Sequence, residues 1–124
     1  MKHATILVCV TCRDATGVGA PPQPGELLYE ATRAAATDSG ARVLPVECLA
    51  NCNRRLSAAI LREDGWSYVF GDLAVENARD LLAGANLYAE SPGNDLPWIG
   101  LPECLKRGLI SRLPPSASFS EPAP

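Results

Sequence analysis

Apolar residues in the first half of the chain fall into short unbroken runs, and those around residues 26–39 and 73–88 fall into helical stripes. Residues 4–10 (A-T-I-L-V-C-V) place Ile6, Leu7 and Val8 in series, a pattern that suits a central strand buried on both faces. Residues 15–25 hold three glycines and three prolines and read as a loop. From Glu26 to Ser39, Leu27, Leu28, Ala31, Ala34 and Ala35 share one helical face while Glu30, Arg33 and Thr37 fall off it, and Gly40 supplies a stop. Residues 42–47 (R-V-L-P-V-E) predict a second strand, placed at an edge or bulged because Pro45 has no backbone donor. Leu56–Arg62 and Trp66–Phe70 flank Glu63-Asp64-Gly65, a strong hairpin signal. Asp72 is positioned to N-cap a helix over residues 73–88, striped by Ala74, Ala78, Leu81, Leu82 and Ala85.

The order is strand, helix, strand, hairpin, helix. It predicts an α/β chain, β-α-β-β-α, with a four-stranded mixed sheet in the thioredoxin-like arrangement. After Glu90 the character changes. Residues 1–90 form the expected domain, and residues 91–115 an apolar and basic arm that packs on the domain or on a second subunit. Residues 116–124, rich in Ser, Pro and Ala, are expected to be disordered.

Composition narrows the classes. At 124 residues, with 47% hydrophobic and 20% charged positions, the chain suits one soluble domain. A net charge of −3 argues against a general nucleic-acid binder. The apolar runs are far shorter than the ~20 residues a membrane helix needs. Met1-Lys2-His3 leads straight into a strand without the pattern of a secretory signal, so the expected compartment is the cytoplasm.

That expectation changes how the five cysteines read. In a reducing compartment they point to metal ligands or redox groups rather than structural bridges. Four of them form Cys9-Val10-Thr11-Cys12 and Cys48-Leu49-Ala50-Asn51-Cys52, each pair directly after a predicted strand. The set is C-x2-C, thirty-five residues, C-x3-C. Cys104, in the arm, has no partner at ligand spacing and stands outside the set. Soft thiolates select zinc, copper(I) and iron–sulfur clusters. Arg13 follows the first pair, and Arg54 and Arg55 follow the second; they are candidates to offset an anionic centre and hydrogen-bond its sulfurs.

An iron–sulfur cluster ranks first. Zinc ranks second, since its structural sites usually use short knuckles at both ends. Dithiol chemistry ranks third, because a loop rather than a helix follows Cys12, removing the usual depression of a thiol pKa by a helix N-terminus. His3, the only histidine, offers no acid–base triad. Gly17-Val18-Gly19 lacks the rest of a phosphate-binding fingerprint.

The cysteine pattern on this element order resembles the thioredoxin-like [2Fe–2S] ferredoxins and the small cluster-bearing subunit of respiratory complex I. The first pair departs from both in having only two intervening residues. A closer resemblance is to a bacterial family of predicted metal-binding proteins within this ferredoxin-like group. It is carried by residues 8–13, Glu47 to Cys52, Phe70-Gly71-Asp72-Leu73 and the closing run from Lys106 to Pro115. The resemblance implies a [2Fe–2S] cluster on Cys9, Cys12, Cys48 and Cys52, with electron transfer rather than turnover. It further implies a redox protein partner, a homodimer and a link with cobalamin biosynthesis.

Overall fold

The computed structural model describes residues 3–11, 22–37, 39–47, 49, 54 and 56–115. Strand β1 (Ala4–Cys9) leads to helix α1 (Pro24–Ala35) and strand β2 (Arg42–Val46). The hairpin of β3 (Ala58–Arg62) and β4 (Ser67–Phe70) follows. A single 3-10 turn (Val75–Asn77) then opens helix α2 (Ala78–Ala89), and a short helix α3 (Glu103–Gly108) precedes strand β5 (Leu109–Leu113). The strands form one sheet in the order β2-β1-β3-β4-β5. Only β1 and β2 are parallel; the other three pairings are antiparallel.

The mixed α/β architecture and the edge position of β2 are as the sequence predicts, with Pro45 opposite Val8 in the edge strand. The sheet has five strands rather than four, because residues 109–113 of the arm pair with β4. The register slips between Val69 and Phe70, which face Ser111 and Leu109 and leave Ile110 as the extra residue of a bulge. At that corner Gly71 N donates to Gly108 O at 2.8 Å. A Cβ on Gly108 would stand 2.5 Å from Gly71 O, so the close backbone approach requires glycine there.

Helices α1 and α2 lie against each other and against β1, and they cover a single face of the sheet. Ile6, Val8, Ile60, Tyr68 and Phe70 point into that layer, where they meet Leu28 of α1 and Leu81, Ala85 and Tyr88 of α2. Each wholly buried leucine contributes about 1.5–3 kcal/mol of burial free energy. Among the described residues no helix covers the opposite face. Thr5, Leu7, Leu44, Leu61, Ser67 and Leu113 line an open groove of about 810 Å³ along it. Strand β1 is therefore central, yet it is buried on one face only, with Thr5 and Leu7 half-buried on the other.

The helices differ in detail from the expected stripes. Helix α1 starts at Pro24 and closes at Ala36, four residues before Gly40. Its buried residues are Gly25, Leu28 and Thr32, whereas Leu27 is exposed. Thr32 tolerates the core because its hydroxyl donates to Leu28 O at 2.7 Å. Asp72 does not cap α2. It sits three residues before the 3-10 turn with a left-handed backbone (φ 55°), and the turn is held instead by Ala74 N donating to Asn77 Oδ1 at 2.7 Å. The arm returns over α2 through Leu101 and Leu105, both buried. Gly84 makes room for them, since a Cβ there would stand 2.6 Å from Leu105 Cδ1.

Candidate metal centre

Parallel pairing of β1 with β2 sends both strand ends toward the same edge of the molecule, and the register sets Cys9 opposite Val46. The edge is locked by two amides. Val10 N donates to Val46 O at 2.9 Å, and Cys9 N donates across the sheet to Ser57 O at 3.1 Å. The Cys9 side chain is 3% exposed, and its Sγ lies 3.7 Å from the carbonyl oxygen of Glu47. Thr11 Oγ1 donates to the same carbonyl and is 3.6 Å from Cys9 Sγ. A thiol of the first pair thus touches the backbone of the residue immediately before the second pair, although 38 positions separate them in sequence.

Cys12, Cys48 and Cys52, with Arg13 and Arg55, lie outside the described residues. Between them Leu49 is partly buried against the core. Among the described residues there is no group of three or more His, Cys, Asp or Glu side chains close enough to hold a metal ion. Cys9 is the one member of the expected ligand set that is described, and its setting is that of a soft donor at a shielded strand end. The parallel strand ends suit a group held from two distant parts of the chain.

The far side of the second cysteine segment is stapled to the Phe70-Gly71-Asp72-Leu73 run. Asp72 N donates to Arg54 O at 3.0 Å, and Leu56 and Leu73 exchange both backbone bonds at 3.1 and 3.3 Å. The Arg54 guanidinium pairs with Asp72, Nε to Oδ2, at 2.7 Å. That run therefore acts as the anchor for the chain as it leaves the cysteines.

Cys104 has separate surroundings. Its Sγ donates to Asp80 Oδ2 of α2 at 3.4 Å, beside a small cavity of about 300 Å³ lined by Asp72, Asn77, Arg107 and Gly108. Burial, then the Asp80 carboxylate, pushes its pKa up to about 11. It is a protonated donor with a partner of its own.

Two groups near the candidate centre were not singled out from sequence, the Thr11 hydroxyl and the Glu47 carbonyl. A signal for Thr11 exists in its position inside C-x2-C, one residue before the second cysteine. Nothing in the sequence marks the carbonyl of Glu47, whose role follows from register alone.

A family model described as "Protein of unknown function (DUF1636)" matches residues 6–115. The chain belongs to the DUF1636 family. No curated protein matches it. Among solved structures, the chain is similar to a thioredoxin-like [2Fe–2S] ferredoxin from Aquifex aeolicus, at 14% identity and a TM-score of 0.59, covering 94% of this chain and 98% of that one. A second structure of the wild-type thioredoxin-like [2Fe–2S] ferredoxin from the same organism gives 15% identity and a TM-score of 0.57, covering 90% of this chain and 99% of that one. At such identities the likeness shows the fold. This DUF1636 chain has a mixed α/β, thioredoxin-like fold. Among the described residues no helix is long and apolar enough to cross a membrane.

Proposed function

We propose that this DUF1636 protein is a one-electron carrier in which Cys9, Cys12, Cys48 and Cys52 hold a [2Fe–2S] cluster. The observation that carries the reading is the 3.7 Å contact of Cys9 Sγ with the carbonyl oxygen of Glu47, the residue that precedes Cys48 in sequence. Similarity of fold to ferredoxins that bear such a cluster supports it. When bound, the cluster supplies a one-electron couple.

The residues of the chain do the rest. Cys9 gives up its thiol proton on ligating, as a thiolate must. Shielding at the strand end lowers the local dielectric and keeps water from the sulfur. Arg13, Arg54 and Arg55 are assigned to offsetting the charge of four thiolates; Arg54 is paired with Asp72. The protein contributes binding and docking rather than turnover.

The further assignments are a redox protein partner, a cytoplasmic setting and delivery of electrons to cobalt or corrin chemistry; the last rests on family resemblance. A homodimer is assigned to the helix-free sheet face, where Leu44 and Leu113 are 37% and 57% exposed. Comparing variants tests the ligand set. Cys48→Ser should abolish the red-brown colour of anaerobically purified protein, and Cys104→Ser should leave it. A bleached Cys104→Ser protein would refute the assignment.

A further inference from the structure

Thr11 stands between the two halves of the candidate centre. Its hydroxyl donates to Glu47 O and is 3.6 Å from Cys9 Sγ, which is itself 3.7 Å from Glu47 O. With Cys9 as a thiol, this triangle of atoms holds two hydrogens, one on Oγ1 and one on Sγ. The carbonyl oxygen has two lone pairs, so both can be accommodated. Ligation removes the thiol hydrogen and leaves the sulfur as an acceptor carrying negative charge. A charged acceptor makes a hydrogen bond roughly twice as strong as a neutral one. Turning the hydroxyl about its Cβ–Oγ bond is enough to redirect its hydrogen, with no movement of the backbone. The strand amides nearest the sulfur are committed elsewhere, Cys9 N to Ser57 O and Val10 N to Val46 O.

We propose that Thr11 is a positioning residue for the Cys9 ligand, clamping the ends of β1 and β2 through Glu47 O in the metal-free protein and donating to Cys9 Sγ in the loaded one. The inference rests on the iron–sulfur reading above. Hydrogen bonds to ligand sulfurs are among the levers that set a cluster's potential. One-electron reduction adds negative charge that the sulfurs share, so a donor on Cys9 stabilises the reduced form more than the oxidised one. Thr11 therefore raises the reduction potential.

The test compares wild type, Thr11→Val and Thr11→Ser. The loaded full-length proteins are titrated with dithionite in mediators, following the visible absorption. Thr11→Val keeps the shape without the donor and should titrate at a lower potential; Thr11→Ser restores the donor and should return toward wild type. In metal-free protein, loss of one neutral hydrogen bond should speed amide exchange at Val10 about fivefold in Thr11→Val. A Thr11→Val protein that titrates at the wild-type potential would overturn the sulfur hydrogen bond even if Val10 exchange accelerates. Unchanged Val10 exchange would overturn the clamp. Wild-type protein lacking iron and sulfide would remove the function reading, a result visible before any variant is made.

Discussion

Arg54 Nε donates to Asp72 Oδ2 at 2.7 Å, tying the chain just after the second cysteine pair to the turn that follows β4. Asp72 makes this contact from a left-handed backbone, φ 55°. That conformation costs a residue with a Cβ about 1–2 kcal/mol, and Asp or Asn bears it best after glycine. The ion pair itself is exposed, 37% and 55% on its two sides, and such pairs contribute about 0–1 kcal/mol. Asp72→Ala loses the pair and keeps the strained backbone, so it should destabilise by about 1 kcal/mol. Asp72→Gly loses the pair but relieves the backbone and should stay within about 0.5 kcal/mol of wild type. Urea midpoints of the two variants check the order; equal losses would show that the backbone term is absent.

Arg62 is the largest polar commitment of the core. Only 1% of its side chain is exposed; Nε pairs with Asp64 at 2.7 Å, and Nη1 donates to Tyr88 O at 2.6 Å and Ser91 O at 3.1 Å. Nη2 donates to Gly93 O, and the guanidinium lies 4.6 Å from the centre of the Tyr88 ring. One residue thus binds the Tyr88 carbonyl in the last turn of α2 and the Ser91 and Gly93 carbonyls just beyond it, and joins them to the β3–β4 hairpin. Arg62→Met should cost about 3 kcal/mol or more, as expected when one partner of a buried polar network is removed. For a chain of this size that lowers the melting temperature by about 10 °C. Arg62→Lys, keeping the charge without the fork, should fall between the two.

The alkaline limit of stability has two named sources. Burial, then the Asp80 carboxylate, raises the Cys104 pKa from 9.0 to about 11. Burial, then the nearby Tyr68, pushes Tyr88 well above the ordinary tyrosine range. In both cases the folded state holds its proton more tightly than the unfolded chain. Their contribution is complete below the unfolded pKa values and is lost as pH rises past about 9 for Cys104 and about 10 for Tyr88. Melting temperature should therefore hold to about pH 9 and then fall, with a shallower fall from pH 9 to 11 in Cys104→Ala. At pH 8 the raised pKa leaves Cys104 about a hundredfold less thiolate than an ordinary thiol, so alkylation followed by mass spectrometry should find it slow to react.

The assigned dimer face predicts a change of assembly. Leu44→Glu with Leu113→Glu puts two charges on the helix-free sheet face without touching the core layer. Sedimentation should show dimers for wild type and monomers for the double variant. Ile99→Glu, at a position 89% exposed on the arm, should remain dimeric. A wild-type monomer would contradict the assignment.

Most of the frame is legible in sequence because its strands carry strong local signals. Ile6-Leu7-Val8 is apolar enough to be central, Pro45 forces an edge, and Asp64-Gly65 turns a hairpin. Strand β5 escapes because Leu109–Leu113 is short and basic, although Gly108 before it and Pro114-Pro115 after it punctuate a strand. The buried face of α1 is harder to read, since its alanines spread a weak apolar signal around the helix and a self-satisfied Thr32 takes a core position. Arg62 reads as an ordinary hairpin residue until the end of α2 is placed beside it. At the candidate centre the pairing of Cys9 with the Glu47 segment follows from parallel β1 and β2, which the β-α-β order predicts. The Thr11 bridge does not follow from it, because it depends on a register that pattern alone leaves open.

The most direct test of the central claim is the metal and sulfide content of wild-type protein purified without oxygen. The account predicts a red-brown protein with about two iron and two acid-labile sulfide per chain, as a [2Fe–2S] centre on four cysteines requires. A colourless protein carrying one zinc per chain and no sulfide would contradict it.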